Sequence, residues 1–190
     1  MIVDAALLAA GASRRLGRAK QAIECDGRPL LTRAAEAAVE AGCRRVFVVL
    51  GHDAEGLAGL VPAGARSIVN PGYAEGLGST IRIAVEAVAR DAAPPEGLVL
   101  AVCDQPALDA GILRALLDGW DRAGRPDAAA TSYGDTVGTP AVFSRAAFPD
   151  LAGLTGDRGA RDLLRRRGDA VVRVPWPAGA RDVDLPSDLP

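Results

Sequence analysis

A turn of small residues followed by basic residues, near the start of the chain, is the part of this sequence best suited to chemistry. The small residues are Ala10, Gly11, Ala12 and Ser13, and the basic residues are Arg14, Arg15, Arg18 and Lys20. Small side chains let the backbone turn sharply and expose N–H groups whose partial positive charges converge on one point. The nearby cations add full charges to that point. The combination predicts a site for the phosphates of a nucleoside triphosphate.

Lys20 is the only lysine among 22 basic residues, and all the others are arginine. An ammonium group is a compact charge on a thin stem, whereas a guanidinium group is a broad planar fork, so the two are not equivalent in a narrow phosphate site. The glycine spacing matches neither G-x-x-x-x-G-K-[ST] nor G-x-G-x-x-G. The predicted phosphate site is therefore neither a Walker-type loop nor a dinucleotide fingerprint.

Alternating strand-like and helix-like segments must position this site. The nearly continuous apolar run 2–9 is typical of a buried parallel strand. Further strands are predicted at 46–50, 67–69, 98–102, 128–131 and 171–174, and helices at 29–41, 53–60, 79–90, 109–123 and 159–167. Crossover helices between strands indicate a parallel sheet covered on both faces. We expect one α/β domain over residues 1–190, with a Rossmann-like, doubly wound, mostly parallel sheet that binds ligands at the carboxyl ends of its strands.

The stretch after the predicted strand 67–69 combines an amide side chain with a helix start made of small residues. Asn70 can offer its amide to the edge of a base or ribose, while Gly76, Gly78 and Ser79 open a helix whose free N–H groups suit an anion. An Asn-Pro turn with a serine N-cap explains the same residues by local structure alone. Both interpretations stay open on these residues.

Carboxylates follow another strand and occur again near the C-terminus. Asp104 comes just after the predicted strand 98–102, where a buried charge needs a partner or a cation. Mg²⁺ is suitable because it prefers one or two carboxylates together with substrate phosphates. Asp182 and Asp184 would share one face of an extended strand. The structural alternatives are a helix cap for Asp104 and a solvated acidic tail for the other two residues.

Taken together, these stretches resemble the nucleotidyltransferases of the molybdenum cofactor type, over nearly the whole chain and in the same order. The first loop is similar to L-A-A-G-x-S-x-R-x-G-x-x-K, with matches at Leu8, Ala9, Ala10, Gly11, Ser13, Arg15, Gly17 and Lys20. The other similar stretches are 70–80, 103–106, 138–143, 154–161 and 181–189. This chain departs from the family pattern at Thr139, where histidine is common, and at Leu185, where threonine is usual.

The resemblance implies a cytidylyltransferase that moves CMP from CTP to the terminal phosphate of molybdopterin and uses Mg²⁺, with Mn²⁺ as the alternative ion. It implies catalytic roles for Arg15, Lys20 and Asp104, and it gives Asp104, Asp182 and Asp184 as metal ligands. The implied nucleotide-binding residues are Leu8, Ala9, Ala10, Gly11, Ala12, Ser13, Arg15, Lys20, Asn70, Gly76, Gly78 and Ser79. The implied acceptor-binding residues are Thr139, Pro140, Asp157, Arg158 and Arg161. The L-A-A-G form of the loop, through Ala10, indicates cytosine rather than guanine.

Two alternatives remain open beside this function. Thr139 removes a contact that the family's histidine would make, which allows a different small phosphorylated acceptor. In another class, the protein would be a non-catalytic assembly factor that carries cofactor to a molybdenum hydroxylase apo-enzyme. The presence of Lys20, Asp104 and Asp182 argues against that alternative, because a carrier without turnover does not need metal-binding carboxylates.

Composition limits the partners. The chain is 49% apolar and 24% charged with a net charge of −2, which is typical of a globular protein and gives no electrostatic footprint for nucleic acid or an anionic membrane. No apolar run approaches the roughly 20 residues of a membrane span. Three cysteines without metal-ligand spacing indicate buried thiols in a reducing compartment. We therefore expect a cytoplasmic protein that binds neither nucleic acid nor membrane.

Overall fold

The structure is a computed structural model that describes residues 1–13 and 16–188. The strands are β1 (Val3–Ala9), β2 (Glu24–Cys25), β3 (Arg28–Pro29), β4 (Val46–Leu50), β5 (Ala65–Val69), β6 (Gly97–Val102), β7 (Ala128–Tyr133), β8 (Thr136–Ser144) and β9 (Val172–Pro175). The α-helices are α1 (Leu30–Glu40), α2 (Ala54–Ala58), α3 (Leu77–Ala89), α4 (Ala110–Arg122), α5 (Phe148–Ala152) and α6 (Ala160–Arg167). Short 3₁₀ turns, among them Lys20–Ala22 and Pro177–Ala180, connect some of these elements.

Within the described residues, seven strands form the main sheet in the order β5-β4-β1-β6-β8-β7-β9. Strands β5, β4, β1 and β6 run parallel, β8 is antiparallel to both of its neighbours, and β9 is parallel to β7. From β1 the chain passes first to β4 and β5 and then returns to β6 on the other side of β1. This reversal between β1 and β6 is where such sheets bind ligands. The predicted mostly parallel, doubly wound sheet is confirmed.

Helices cover both faces of the sheet, as predicted. Alternate residues of β1 point to opposite faces, so Ala5 and Leu7 belong to one core and Ala6 and Leu8 to the other. The first core is completed by α1 and α4, and the second by α3, α5 and α6. Helix α4 begins at the N-cap Asp109, whose carboxylate accepts a hydrogen bond from the N–H of Ile112 at 2.9 Å. Among the described residues, no helix has the length and apolarity to cross a membrane.

The main difference from the sequence prediction is β8, which was not predicted as a strand. Gly138 and Pro140 lie within it, and both residues are typical of loops or interrupted strands. The pairing with β7 shifts from Ala141 opposite Ala130 to Gly138 opposite Thr131. Thr139 and Pro140 therefore bulge out of the ladder. The bulge resolves the conflict, because the ladder does not need the N–H that proline lacks.

Candidate active site

The loop after β1 is held by hydrogen bonds from two residues that lie beyond it in sequence. The N–H of Lys20 donates to Ser13 Oγ at 3.1 Å. Gln21 Nε2 donates to the carbonyl oxygens of Ala9 at 2.8 Å and Gly11 at 3.0 Å. Ser13 has a φ of +48°, so the chain turns back on itself at this point. These contacts shape the loop that was predicted to bind phosphate.

Gln21 is a residue that the sequence reasoning missed. It is 1% exposed, and its amide is the link between the end of β1 and the 3₁₀ turn that carries Lys20. Nothing in the local sequence distinguishes it from an exposed polar residue beside a lysine, since the contact joins residues 12 positions apart. Arg15, predicted to hold phosphates, lies outside the described residues.

A cavity of about 520 Å³ opens at the carboxyl ends of β1 and β6. Its lining includes the predicted nucleotide-binding residues Leu8, Ala9, Ala10, Gly11, Lys20 and Gly76, together with Asp104. A Cβ at Gly11 would meet nothing within 4 Å, so that part of the wall faces open space. Ala12 and Ser13 were also predicted to bind nucleotide. They line an adjoining cavity of about 390 Å³, together with Arg18 and His52.

Charged groups converge at one side of the main cavity. Lys20 Nζ contacts Asp104 Oδ2 directly and lies 3.3 Å from Asp184 Oδ1. Partial removal of the Asp182 carboxylate from water, together with the negative charges of Asp104 and Asp184, raises the pKa of Asp182 to about 6. The positive charges of Lys20 and Arg161 oppose that rise. The structure thus brings together Lys20 and the three carboxylates that the sequence predicted as site residues.

The cluster is suited to a divalent cation. Asp104 Oδ1 is buried and has no hydrogen-bond partner in the described part of the chain, which is costly unless a ligand completes it. Carboxylate oxygens are the ligands that Mg²⁺ and Mn²⁺ prefer, and Mg²⁺ typically takes one or two of them with substrate phosphates. Residues 1–13 and 16–188 contain no group of three or more His, Cys, Asp or Glu arranged to hold a metal by themselves. The donors therefore fit a cation that also needs ligands from the substrate.

The segment that carries Asp182 and Asp184 is irregular and forms no strand, contrary to the expectation of an extended strand. This segment is attached to the stretch after β6 at Val183, between the two aspartates, and at Gly179, before them. The N–H of Val183 donates to the carbonyl oxygen of Asp104 at 2.8 Å, and Gln105 Nε2 donates to the carbonyl oxygen of Gly179 at 3.0 Å. These two bonds, rather than strand alternation, bring the C-terminal carboxylates to Asp104.

Asn70 is placed differently from the prediction that its amide recognises a base or ribose. It is 2% exposed and is absent from the cavity lining. Its Nδ2 donates to Ser79 Oγ at 2.9 Å and Thr80 Oγ1 at 3.2 Å, and its Oδ1 accepts from the N–H of Gly72 at 2.9 Å. Ser79 is also buried, and its hydroxyl donates to the carbonyl oxygens of Gly72 and Gly76. In this structure Asn70 and Ser79 shape the loop, because their polar atoms are used within it.

Gly76 and Gly78 let this loop pack against a second loop. Gly76 has a φ of +105°, and a Cβ built on it would lie 2.5 Å from the carbonyl of Gly156. The N–H of Gly78 donates to the carbonyl oxygen of Gly156 at 2.9 Å. The close approach places Gly76 and Asp157 on the same cavity wall. The two glycines therefore shape the cavity wall by letting two backbone segments approach closely.

The predicted acceptor residues separate into two groups. Thr139, Asp157 and Arg161 line a cavity of about 320 Å³ that shares Leu8, Leu77, Val102 and Asp157 with the main cavity. Arg165, which was not predicted, also lines it. Pro140 is buried, Arg158 is exposed on the surface, and neither lines a cavity among those found in the described residues. The structure thus places Pro140 and Arg158 outside the cavity that Thr139, Asp157 and Arg161 line.

Comparison with known proteins agrees with this geometry. The family described as MobA-like NTP transferase domain matches residues 5–171. The chain is 36% identical over 175 residues to nicotine blue oxidoreductase of Paenarthrobacter nicotinovorans, covering 87% of this chain and 82% of that protein.

Two solved structures are similar over nearly the whole chain. A homologue of Mycobacterium tuberculosis Rv0371c from Mycobacterium sp. strain JC1 has a TM-score of 0.82 at 30% identity, covering 98% of this chain and 92% of that chain. Rv0371c of Mycobacterium tuberculosis H37Rv in complex with manganese has a TM-score of 0.78 at 27% identity, covering 99% and 96%. With its α/β nucleotidyltransferase fold and the loop, lysine and carboxylates at the switch point of its sheet, this chain belongs to the MobA-like NTP transferase family.

Proposed function

We propose that this protein transfers CMP from CTP to the terminal phosphate of molybdopterin and releases pyrophosphate. The observation that carries the proposal is the convergence of Asp104, Asp182 and Asp184 near Lys20, together with the position of Lys20 and Asp104 in the lining of the main cavity. Within the described residues, the buried Asp104 Oδ1 has no hydrogen-bond partner, so a bound ligand would complete it. Such a cluster suits a reaction in which a cation and a polyphosphate bind together.

The transfer needs position and charge more than proton chemistry. An oxygen of the acceptor phosphate attacks the α-phosphorus of CTP, a new P–O bond forms, and the bond to the bridging oxygen breaks as pyrophosphate leaves. The attacking phosphate is already ionised near neutral pH, so no general base is required. Negative charge grows on the phosphoryl and leaving oxygens, and preorganised donors stabilise it. Lys20, the N–H groups of Ala10–Ser13 and, by resemblance, Arg15 supply those donors.

Asp104, Asp182 and Asp184 would supply protein ligands to the divalent cation, either Mg²⁺ or Mn²⁺, together with phosphate oxygens of the substrate. When bound, the cation offsets negative charge on the phosphate oxygens. The manganese complex of the similar Rv0371c supports a divalent ion in this family. Lys20 contacts the same carboxylates. Its long, flexible stem would let it exchange Asp104 for phosphate oxygens when nucleotide is bound.

The choice of CTP rests on the L-A-A-G form of the loop. Ala10 lines the main cavity, and close packing around it fixes its position. The Ala10 carbonyl oxygen accepts from the N–H of His52 at 3.1 Å, and a Cβ built on Gly51 would lie 2.8 Å from the Ala10 Cβ. We place the reaction in the cytoplasm, where free Cys25, Cys43 and Cys103 would stay reduced.

Thr139 favours a second candidate acceptor, because it lies in the cavity next to the nucleotide site where the family pattern has histidine. That candidate is another small phosphorylated molecule, with the same CMP transfer. If molybdopterin is the acceptor, the partner that we expect is a molybdenum hydroxylase apo-enzyme, which would receive the product.

A thermal-shift panel tests the donor first. CTP, GTP, UTP and ATP are each added with and without Mg²⁺ or Mn²⁺ to the wild type, to Lys20→Ala and to the surface control Arg166→Ala. A ligand at 100 times its Kd adds about 2.7 kcal/mol to stability. We expect a metal-dependent shift with CTP that Arg166→Ala keeps and Lys20→Ala loses. A shift with GTP instead would reassign the donor.

Pyrophosphate release with purified molybdopterin then tests the reaction. Release that requires CTP, metal and acceptor together supports the transfer. CTP binding without release, even with other phosphorylated acceptors, would favour the assembly factor. Including NADH and NADPH in the binding panel tests whether this chain shares the activity named for its oxidoreductase relative. A shift with these nucleotides alone would reject the transferase.

A further inference from the structure

Arg161, which lines the cavity of about 320 Å³, forms a hydrogen bond with a residue that lies far from it in the sequence. Arg161 Nη2 donates to the hydroxyl of Tyr133 at 3.1 Å. Tyr133 is the last residue of β7, and Arg161 lies in the first turn of α6, so the bond joins the β7–β8 hairpin to the helix beside the cavity. Arg161 also acts electrostatically on Asp182. Its guanidinium therefore lies near both the acceptor cavity and the carboxylate cluster.

Gly138 makes room for this arrangement. A Cβ built on Gly138 would collide with the Tyr133 hydroxyl and would lie 3.6 Å from Arg161 Nη2. The β8 bulge begins at the next residue and carries Thr139 into the same cavity. A short stretch of β8 thus leaves space for the tyrosine hydroxyl and also supplies part of the cavity wall.

The charged residues that line this cavity favour an anion beside Arg161 and Arg165. Arg161 and Arg165 are four residues apart on α6, so they lie on the same face of the helix. Neither forms an ion pair with any residue in the described part of the chain. Of the two lining aspartates, Asp162 accepts from the N–H of Gly159 at 2.9 Å, and Asp157 lies where this cavity meets the main one. The lining also includes the apolar side chains of Leu8, Leu77 and Val102.

From this geometry we infer that Tyr133 is a positioning residue that orients Arg161 to bind the phosphate group of the acceptor. The acceptor class is a phosphomonoester with a flat or apolar body, which packs against Leu8, Leu77 and Val102. Arg161 and Arg165 hold the phosphate by charge-assisted hydrogen bonds, the geometry for which guanidinium is best suited. This inference rests on the proposed transfer for its catalytic meaning, but the binding itself can be measured without turnover.

The probe is phenyl phosphate, with benzyl alcohol as its uncharged counterpart. Each is titrated into ¹⁵N-labelled protein, with and without a non-hydrolysable CTP analogue and Mg²⁺, and the arginine Nε–H signals are followed by NMR. We expect phenyl phosphate to shift the signals of Arg161 and Arg165, and benzyl alcohol to leave them unchanged. Tyr133→Phe keeps the ring and removes the hydroxyl, and it should raise the Kd of phenyl phosphate about fivefold. Arg161→Ala should raise the Kd roughly tenfold or more.

A double-mutant cycle separates positioning from general damage. If Tyr133 acts through Arg161, Tyr133→Phe has no further effect in the Arg161→Ala background. Arg166→Ala, an exposed arginine on the same helix, should bind phenyl phosphate like the wild type. An equal loss from Tyr133→Phe in both backgrounds, or no loss at all, would overturn the inference. If the CTP analogue fails to bind while phenyl phosphate still shifts Arg161, the proposed donor is wrong and the anion site stands.

Discussion

The two ends of the parallel strands carry opposite kinds of charge cluster. At the amino end, Asp4 is fully buried and both of its carboxylate oxygens are bonded. Arg44 donates to Asp4 at 2.9 and 3.0 Å, Arg45 donates at 3.0 Å, and Arg45 also reaches Asp91 at 2.7 Å. Two cations balance two anions, and no oxygen of Asp4 is left without a partner.

At the carboxyl end, Lys20 faces Asp104, Asp182 and Asp184, and one oxygen of Asp104 is buried without a hydrogen-bond partner among the described residues. The two ends of the sheet therefore differ in whether every oxygen of the buried carboxylate has such a partner. Removing one member of a complete buried cluster destabilises the fold, because it leaves an uncompensated charge. A buried oxygen without a partner costs stability and is retained where a ligand completes it.

The largest effect that follows from this comparison is on stability at the amino end. Asp4→Ala leaves Arg44 and Arg45 without their buried partner, so we expect the free energy of unfolding to fall by about 3 kcal/mol. Urea unfolding at pH 7 measures the change. A loss below about 1 kcal/mol would mean that the buried cluster contributes little to stability, and the contrast between the two ends would fail.

At the carboxyl end we expect substitutions to lower activity more than stability. Lys20→Ala or Asp104→Ala should lower turnover at least ~100-fold, equal to about 2.7 kcal/mol of barrier, because each removes charge that acts on the transition state. For Asp104→Asn, which removes only the charge, the free energy of unfolding should fall by less than for Asp4→Ala, because Lys20 still has Asp184 as a partner. Pyrophosphate release and urea unfolding on the same preparations give both quantities. Near-wild-type turnover in Lys20→Ala or Asp104→Ala would refute the assignment.

A smaller effect is expected from the loop after β1, which lines the same cavity as Lys20 and Asp104. Gln21→Leu leaves the carbonyl oxygens of Ala9 and Gly11 without their donor, so the loop loses its defined shape. We expect the Kd of CTP to rise by about tenfold, which corresponds to about 1.4 kcal/mol. Isothermal titration with Arg166→Ala as the control measures it. Unchanged CTP affinity would show that the loop keeps its shape without Gln21.

The smallest expected effect concerns the reactivity of two buried cysteines, one beside each cluster. Burial, with the nearby negative charge of Asp4, raises the pKa of Cys43 to about 12. Burial and Asp104 raise the pKa of Cys103 to about 12 as well, against the opposing charge of Lys20. At pH 8 both thiols are protonated and unreactive. We expect iodoacetamide to label the half-buried Cys25 first, as peptide mass spectrometry would show, and early labelling of Cys103 would mean that the carboxyl end opens readily.

The same two thiols set a pH dependence of stability. Their pKa values are higher in the folded chain than the usual value of about 8.5 in an unfolded chain. The folded state therefore binds more protons between pH 8.5 and 12, and its stability falls as pH rises through that range. Below about pH 8 the contribution is complete and constant. Replacing Cys43 with alanine should flatten the alkaline part of the unfolding profile.

Much of the molecule could be predicted from its sequence, because the signals are local. The apolar run of β1, the apolar spacing of α4 and the N-cap Asp109 follow from periodicity and capping. The small-residue loop with Lys20 and the acidic residue after β6 mark the site, since both lie at strand ends. Strand β8 could not be predicted in this way, because Gly138 and Pro140 disfavour a strand and only the bulge reconciles them with the ladder.

The sequence by itself determined the alternation of most strands and helices, the family and the residue types available at the site. Only the tertiary structure decided how those residues combine. It paired Lys20 with Asp104 and Asp184. It also directed the hydrogen bonds of Asn70 into its own loop and brought Tyr133 to Arg161. The physical reason is the range of the interactions. Periodicity and capping act over a few neighbouring residues, whereas these contacts join residues up to 164 positions apart, and the chain must fold before they exist.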